Sequence, residues 1–301
     1  MENFFRELIT WLSFPEVLKK ESLNLLKLKT YLKTLELAKK IKKKNSKNKL
    51  NTHVLFSNKI KNLIIKKGLL NFLREGFVQK MFFVHNRFFI FFQLLEILKN
   101  QKLNKILKEK NIGNPLPYFL YKKSSGNKIR ALYHLLVYEK DKNINSEVYF
   151  EVGGGYGLMA SIIMDLNLKS KYIIFDTKEV LLLQYYYLKS LGYDVGFDNS
   201  KHRIILVSQV SLIKKIFKRF QNKKKFFIAN WSFSEMPIKL RNNLLFLIKK
   251  SEKFIITFQK KFEFIDNGKY FRKLSANISG SKLLPVKYMN LITNKHYYFI
   301  K

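Results

Sequence analysis

An acidic residue followed by a cluster of glycines marks the part of this sequence that is best suited to chemistry. Glu151 ends a β-branched and aromatic run, and after one further residue comes Gly153-Gly154-Gly155-Tyr156-Gly157. Glycine has no Cβ, so the backbone can turn sharply here and a ligand can lie against it. The apolar segment 158–168 has the character of a helix. We therefore predict a nucleotide-type cofactor loop between the first strand of an α/β sheet and the helix that follows.

The spacing of these glycines argues against a dinucleotide cofactor. Dinucleotide-binding loops read G-x-G-x-x-G, and their third glycine lets the helix and strand pack closely beside a pyrophosphate. Gly153 and Gly155 fit the first two positions, but Leu158 occupies the third. The pattern E-x-G-G-G-x-G instead resembles motif I of class I methyltransferases, which bind S-adenosylmethionine. This resemblance implies that Glu151 helps to position the positively charged amino end of that cofactor.

A second carboxylate, Asp176, stands 23 positions after Gly153, at the end of the apolar segment 172–175. A ribose presents two neighbouring hydroxyl donors, and one carboxylate can accept from both. We therefore expect Asp176 to bind the ribose of the cofactor. The alternative is that Asp176 caps a helix that starts near Lys178, and the two roles are compatible.

Polar residues follow two further segments that have the composition of buried strands. Ser208 and Gln209 follow the third strand, predicted over 204–207, and are candidate contacts for the adenine base. The polar residues at and after the end of the fourth strand, predicted over 226–230, are Asn230, Ser232, Ser234 and Glu235. We expect Asn230 to contact the cofactor and the two serines to contact the substrate.

Transfer of a methyl group to a hydroxyl requires alignment of the acceptor and removal of its proton. Glu235 is the leading candidate for the general base; the alternative is that it only stabilises the N-terminus of the next helix. His296, close to the last predicted strand, is the second candidate. A metal-assisted route needs clustered oxygen ligands, and the aspartates are scattered along the chain, so we predict no metal site.

The order of the predicted elements sets the fold class. A helix over 237–249 is followed by a strand over 254–258, and we expect 286–291 and 297–300 to form a final antiparallel pair. Together with the earlier strands, this order predicts a Rossmann-like class I methyltransferase sheet with helices on both faces. A mainly helical region, 1–110, is predicted to precede it.

The helical region carries a leucine pattern. Leucines between positions 23 and 37 recur at spacings that can form one apolar face, with lysines between them. We predict three parts: a helical region over 1–110 that serves substrate, partner or oligomer contacts, a connector with a helix over 111–145, and a cofactor domain over 146–301. A homo-oligomer formed through the N-terminal helices is one expectation from this division.

Three segments together carry a more specific resemblance. They are Glu151–Gly157, Asp176–Val180 with Gln184–Leu188, and Asn230–Pro237. In this combination the chain resembles the sugar O-methyltransferase family over roughly residues 110 to 301, with Lys178 where proline is usual. The resemblance implies a sugar, nucleotide-sugar or glycan acceptor. Alternatives are methylation of RNA or of another small molecule, or a non-catalytic module that binds the cofactor or assembles with partners.

The net charge of +37 is carried mainly by lysine, since the 58 basic residues comprise 8 arginines and 50 lysines. Phosphate and base recognition favours arginine, whose planar fork matches both groups. Lysine, asparagine, isoleucine and phenylalanine share A/T-rich codons, so genome composition explains much of the excess. The bias argues against nucleic-acid binding and leaves peripheral attraction to anionic membranes as an expectation.

The remaining composition bears on the compartment. The chain has no cysteine, which excludes disulfides and thiolate metal sites. Glu2 and Glu7 lie where a signal peptide would carry only basic residues. The most apolar run, 81–98, is interrupted by polar and charged residues and does not read as a membrane span. We therefore expect a cytoplasmic protein.

Overall fold

A computed structural model describes residues 24–41, 52–82, 87–139, 143–166, 169–198, 201–290 and 295–301. These residues form two compact units that interleave along the chain. The first unit contains the described residues up to Leu136, with Gly155–Ile162 and Thr177–Val195. The second contains the described residues of Val137–Gly154, Ile163–Asp176 and Gly196–Lys301. The sequence prediction instead divides the chain at residues 110 and 145.

The described residues of the first unit are mainly helical, as predicted for the N-terminal region; residues 1–23, 42–51 and 83–86 of that region lie outside the described residues. Its early helices are α1 (Leu25–Lys40), α2 (Thr52–Asn62), α3 (Gly76–Met81), α4 (Phe89–Leu98) and α5 (Gln101–Lys105), with a π-helical turn at Leu63–Lys67 and a 3-10 turn at Phe72–Arg74. An unpredicted hairpin of β1 (Pro117–Tyr118) and β2 (Tyr121–Ser125) comes next. Three longer helices follow along the chain: α6 (Gly126–Glu139), α7 (Leu158–Leu166) and α8 (Lys178–Ser190).

The leucine face predicted for α1 is not the face that packs within this unit. The buried side chains of α1 are Lys27, Thr30, Thr34 and Ala38. Leu25 and Leu32 are 66% and 54% exposed. The two threonine hydroxyls donate to backbone carbonyls four residues earlier, at 2.7 Å each, so both are satisfied inside the helix. Because Thr30, Thr34 and Ala38 have small side chains and both hydroxyls are hydrogen-bonded, this face of α1 packs closely against α8.

The second unit is built on an eight-stranded sheet with the order β11-β12-β8-β7-β3-β4-β6-β5. Its strands are β3 (Val148–Val152), β4 (Lys171–Phe175), β5 (Val195–Phe197), β6 (Ile204–Val207), β7 (Lys225–Asn230), β8 (Lys253–Gln259), β11 (Lys282–Pro285) and β12 (His296–Ile300). The strands β3, β4, β6, β7 and β8 run parallel, and β12 lies antiparallel between β8 and β11. This arrangement confirms the predicted Rossmann-like class I methyltransferase sheet.

Both faces of the central strands are buried, which explains their almost continuous apolar sequences. Phe150 and its face pack against α9 (Val210–Arg219), α11 (Ile238–Lys249) and α12 (Asn267–Ala276). On the opposite face the ring of Tyr149 stacks on Tyr172, with centroids 5.7 Å apart. Tyr138, which also belongs to this unit, contacts Phe226 on that face, with ring centroids 4.7 Å apart. Both faces are thus covered by residues of this unit, and helices of the unit pack on the face of Phe150, as predicted.

The final antiparallel pair exists, but its first strand is not the predicted segment 286–291. β11 ends at Pro285, which pairs with Tyr297 at the edge of the sheet. Val286 is buried, and Asn290 exchanges two hydrogen bonds with the backbone of His296, at 2.7 and 3.0 Å. Proline is tolerated at a sheet edge because its missing N–H faces away from the ladder. The described residues 286–290 lie outside the strand, and Leu291, the last residue of the predicted segment, lies outside the described residues.

Two structural findings concern the described residues only. Within them, no helix is both long enough and apolar enough to cross a membrane. The same part of the chain contains no group of three or more His, Asp or Glu side chains placed to hold a metal ion. The cytoplasmic location and the absence of a metal site both stay predictions.

Candidate active site

The parallel strands of the second unit end at one edge of the sheet. Val152 pairs with Phe175, and Phe175 pairs with Val207, so β3, β4 and β6 end side by side. The predicted site residues that this edge brings together are Gly153, Gly154, Asp176, Ser208, Gln209 and Asn230. In open parallel sheets, ligands bind outside the carboxyl ends of the strands. The edge is therefore the candidate active site of this unit.

Glu151 lies buried next to this edge, only 3% exposed. Its carboxylate accepts a hydrogen bond from the Tyr172 hydroxyl at 2.9 Å. Burial raises the pKa of Glu151 to about 8; repulsion from Asp176 adds to the rise, and the bond from Tyr172 opposes it. The site thus holds a carboxyl group whose ionisation would be favoured by a nearby positive charge.

Gly153 takes a left-handed conformation, with φ of +72°, directly after β3. A Cβ at this position would come within 3.0 Å of both the Cβ and the Oγ of Ser232. The Ser232 hydroxyl donates to the carbonyl of Val152, the last residue of β3. At this position the missing side chain therefore leaves room for Ser232 of the same unit and not for a ligand.

The second half of the glycine-rich sequence belongs to the first unit. Gly155 and Gly157 have φ of +56° and +100°, and a Cβ on Gly157 would lie 3.1 Å from Leu188. The carbonyl of Gly155 accepts from the Gln184 side chain at 3.0 Å. Tyr156 is buried, and its ring meets that of Tyr187 edge-on at 5.0 Å. Any contact from Tyr156 to a cofactor would come from its backbone.

Asp176 is half-buried at the end of β4, and its backbone N–H donates to Val207 at 3.1 Å. The residue at the N-cap of α8 is Thr177, so the alternative role of Asp176 as the capping residue is not observed. Its expected role as the ribose ligand stays a prediction. Ser208 and Gln209, the candidate adenine contacts, are half-buried and exposed respectively.

Trp231 follows β7 in a strained conformation, with φ of +59° in a bulky residue. Its indole N–H donates to Nδ1 of His296 at 3.1 Å, and its backbone N–H donates to Thr257 at 2.8 Å. Because Nδ1 of His296 accepts, the neutral imidazole carries its proton on Nε2. The lone pair that a base needs is already used, so this contact argues against His296 as the general base and makes its Nε2–H a donor.

Glu235 is half-buried at the end of the short helix α10 (Ser232–Glu235). Burial raises its pKa to about 7, and repulsion from Glu263 adds to the rise. A general base works best when its pKa lies near the working pH. This environment supports Glu235 as the base, whereas the alternative role at a helix N-terminus requires only a charged carboxylate.

Ser234 and Arg241 hold the segment that carries Glu235. Ser234 is buried, and its hydroxyl donates to the carbonyl of Trp231 at 2.6 Å, which argues against the predicted substrate contact. The buried guanidinium of Arg241 donates to the carbonyls of Ser234 and Met236 and to the side chain of Asn267. Arg241 was not predicted, because an arginine close to Lys239, Asn242 and Asn243 gives no sign in the sequence that it is buried.

Asn230, the last residue of β7, has its side chain held by the neighbouring strand β8. Its side-chain oxygen accepts from the Thr257 hydroxyl at 2.9 Å, across the pairing of β7 with β8. This bond orients the Asn230 amide group, and the expected contact to a cofactor stays a prediction. Thr257 was not singled out by the sequence because its importance depends on the register of two strands that are 27 residues apart.

Comparisons with known proteins give only distant likenesses. No protein-family model matches the chain, and no curated protein matches it. Among solved structures, it is similar to the methyltransferase domain of bacterial CtHen1 (TM-score 0.42, 9% identity, 57% of this chain and 96% of that one). It is also similar to a SAM-dependent methyltransferase from Aquifex aeolicus (0.38, 13%, 56% and 87%) and to the mitomycin 7-O-methyltransferase MmcR (0.33, 10%, 58% and 57%). Likenesses this distant carry no argument about family or substrate.

Proposed function

We propose that this protein is an S-adenosylmethionine-dependent methyltransferase that transfers a methyl group to a hydroxyl of a sugar or glycan acceptor. The observation that carries the proposal is the edge of the sheet. Two carboxylates suited to the cofactor, Glu151 and Asp176, lie at this edge, and Glu235, whose pKa is raised to about 7, is on the short helix that follows β7. The sheet itself has the strand order of a class I methyltransferase.

The residues present fit the proposed cofactor. S-adenosylmethionine carries a cationic amino end and a ribose with two neighbouring hydroxyls. Asp176 can accept from both hydroxyls, and it is not used to cap α8. The buried carboxyl of Glu151 gains from a nearby cation, because ionised Glu151 is otherwise disfavoured by burial. When bound, the cofactor would supply an electrophilic methyl group.

In the proposed mechanism, the residues of the chain transfer a proton and hold the reacting groups in place. Glu235 would take the proton of the acceptor hydroxyl, and its raised pKa leaves it both partly ionised and basic enough at neutral pH. His296, oriented by Trp231, would donate from Nε2 to an acceptor oxygen. Arg241 holds the carbonyls of the turn that carries Glu235, so the base is presented from a fixed segment.

Calorimetric titration with S-adenosylhomocysteine tests the cofactor assignment. The wild-type protein should bind it, and Asp176→Ala should weaken binding about 10- to 150-fold, the factor expected for hydrogen bonds to a charged group. Asp165→Ala, which removes a carboxylate on α7, is the matched control and should bind like the wild type. Undiminished binding by Asp176→Ala would remove the ribose role, and no binding by the wild type would refute the proposal.

A further inference from the structure

A small hairpin projects from the second unit just after β8. It consists of β9 (Lys261–Phe262) and β10 (Ile265–Asp266), with Glu263 and Phe264 at its tip. Its base is fixed: the backbone N–H of Gly268 donates to Lys260 at 3.0 Å, and the N–H of Lys260 donates to Lys295 at 2.6 Å. Because β8 runs parallel to β7, the hairpin leaves the sheet at the same edge as the candidate active site.

The tip presents an aromatic ring to solvent. Phe264 is fully exposed, with a relative exposure of 104%. The preceding residue, Glu263, has φ of +49°, a conformation that glycine or asparagine usually supplies in such turns. Exposure of a whole phenylalanine ring and a strained tip both cost stability. Strained residues that persist on a fixed base cluster at sites where a ligand is held.

Cations surround the base of the hairpin. The segment 259–273 contains five basic residues and two acidic ones. Lys260 and Arg272 come together at Gly268, since a Cβ on that glycine would meet both side chains, at 3.3 and 3.8 Å. Lys260, Lys261 and Arg272 are exposed. The carboxylate of Asp266 lies among them: a hydrogen bond from the N–H of Lys269, and then these three cations, lower the pKa of Asp266. Three cations around one carboxylate leave a net positive charge that the hairpin can offer to a ligand.

The tip is electrostatically coupled to the proposed base. The carboxylate of Glu263 repels that of Glu235 strongly enough to be the second cause of the raised pKa of Glu235. Asn267, at the end of the hairpin, donates to Gln259 at 3.0 Å and accepts from Arg241 at 2.7 Å. Arg241 in turn holds the turn that ends at Glu235, so one buried guanidinium links the hairpin to the reaction site.

We propose that this hairpin binds the acceptor, and that the acceptor is a nucleoside-phosphate conjugate such as a nucleotide-sugar. The flat nucleobase of this acceptor would stack on the ring of Phe264. The phosphates of the acceptor would lie between Lys260, Lys261 and Arg272. An uncharged glycan makes no use of these cations. Single-stranded nucleic acids are bound by successive aromatic side chains along a basic groove, whereas this hairpin exposes one ring and has the footprint of one nucleotide. The role as acceptor rests on the proposed methyl transfer; the binding site does not.

Calorimetric titrations with UDP-glucose, GDP-mannose and dTDP-glucose, with and without S-adenosylhomocysteine, test this proposal. At least one of the three should bind, and glucose alone should not. Phe264→Ala should weaken that binding on the order of 10-fold through the loss of stacking. The triple variant K260A/K261A/R272A should weaken it on the order of 100-fold and should flatten its salt dependence from about 50 mM to about 300 mM.

A matched triple variant, K214A/K215A/K218A, removes three exposed lysines from α9 of the same unit and should bind nucleotide-sugar like the wild type. A thermal unfolding midpoint equal to that of the wild type shows that each variant is folded. If S-adenosylhomocysteine binds and none of the nucleotide-sugars does, or if the control triple weakens binding equally, the hairpin assignment is wrong and methyl transfer stands. If hairpin-dependent nucleotide-sugar binding occurs without binding of S-adenosylhomocysteine, methyl transfer is wrong and the binding site stands.

An oligouridylate of about ten residues forms the last arm. Binding about tenfold tighter than that of any nucleotide-sugar, lost in the K260A/K261A/R272A variant, would assign the hairpin to RNA and overturn the small acceptor. Weaker binding than that of the nucleotide-sugar, or binding that survives this variant, supports the small acceptor.

Discussion

Substitution of Gly153 by alanine tests how the glycine-rich sequence is used. Two separate costs arise at this position. An alanine at φ of +72° is strained by about 1–2 kcal/mol. The new Cβ would also lie well inside 3.0 Å of the Ser232 Cβ, and because that atom is bonded directly to the backbone, it cannot rotate away. Forced repacking of this kind costs about 1–3 kcal/mol, so Gly153→Ala should lower the free energy of unfolding by about 2–5 kcal/mol.

Gly280 offers the control for the conformational part alone. It has φ of +73°, and a Cβ there would meet nothing within 4 Å, so Gly280→Ala should cost only about 1–2 kcal/mol. Urea denaturation of both variants gives the difference, about 1–3 kcal/mol, that belongs to the overlap with Ser232. In the double variant G153A/S232G, this difference should appear as a favourable coupling energy. Equal losses for the two single variants, or no coupling in the double, would refute the packing role of Gly153.

Three further predictions concern buried charge. Glu151→Gln should flatten the pH dependence of stability. Because the pKa of Glu151 is raised from 4.5 to about 8 in the folded protein, the wild type should lose stability as the pH rises between these two values. Urea denaturation from about pH 5 to about pH 9 measures whether the variant loses less stability than the wild type. Glu235→Gln should abolish the increase in methyl-transfer rate that the wild type shows as the pH passes about 7, followed with labelled S-adenosylmethionine and a glycan extract; an unchanged profile would exclude Glu235 as the base. Arg241→Met should lower the free energy of unfolding by about 3 kcal/mol because two carbonyls and one amide lose a buried donor, whereas the exposed Arg219→Met should stay within about 0.5 kcal/mol of wild type in the same denaturation assay.

The parallel strands were predictable because each is specified by its own residues. Phe150 and its neighbours form an apolar run that is buried on both faces, and the runs at 172–175, 204–207 and 226–230 have the same character. Glycine after the first run and polar residues after the others mark the ends where ligands bind. These signals are local, so a single sequence contains them.

The features that sequence reasoning missed depend on pairings between distant segments. Pro285 ends β11 because it pairs with Tyr297 at a sheet edge, and the apolar character of 286–291 does not reveal this. The packed face of α1 is polar because Thr30 and Thr34 bond within their own helix. Hydrophobic periodicity instead predicts that the leucine face is buried, because the pattern contains no information about how closely α8 packs against α1.

The glycine-rich sequence shows most clearly that residues needed for the fold differ from residues that support the proposed chemistry. At Gly153 the space left by the missing side chain is taken by Ser232, and at Gly157 it adjoins Leu188. Packing inside each unit thus requires glycine at positions 153 and 157, whatever ligand is bound, and these two positions predict the turn after β3 better than they predict a cofactor. The chemical argument instead depends on Glu151, Asp176 and Glu235, which are ordinary carboxylates in the sequence. Burial raises the pKa of Glu151 and of Glu235, and a neighbouring carboxylate adds to each rise: Asp176 for Glu151 and Glu263 for Glu235. Those surroundings exist only once the chain has folded.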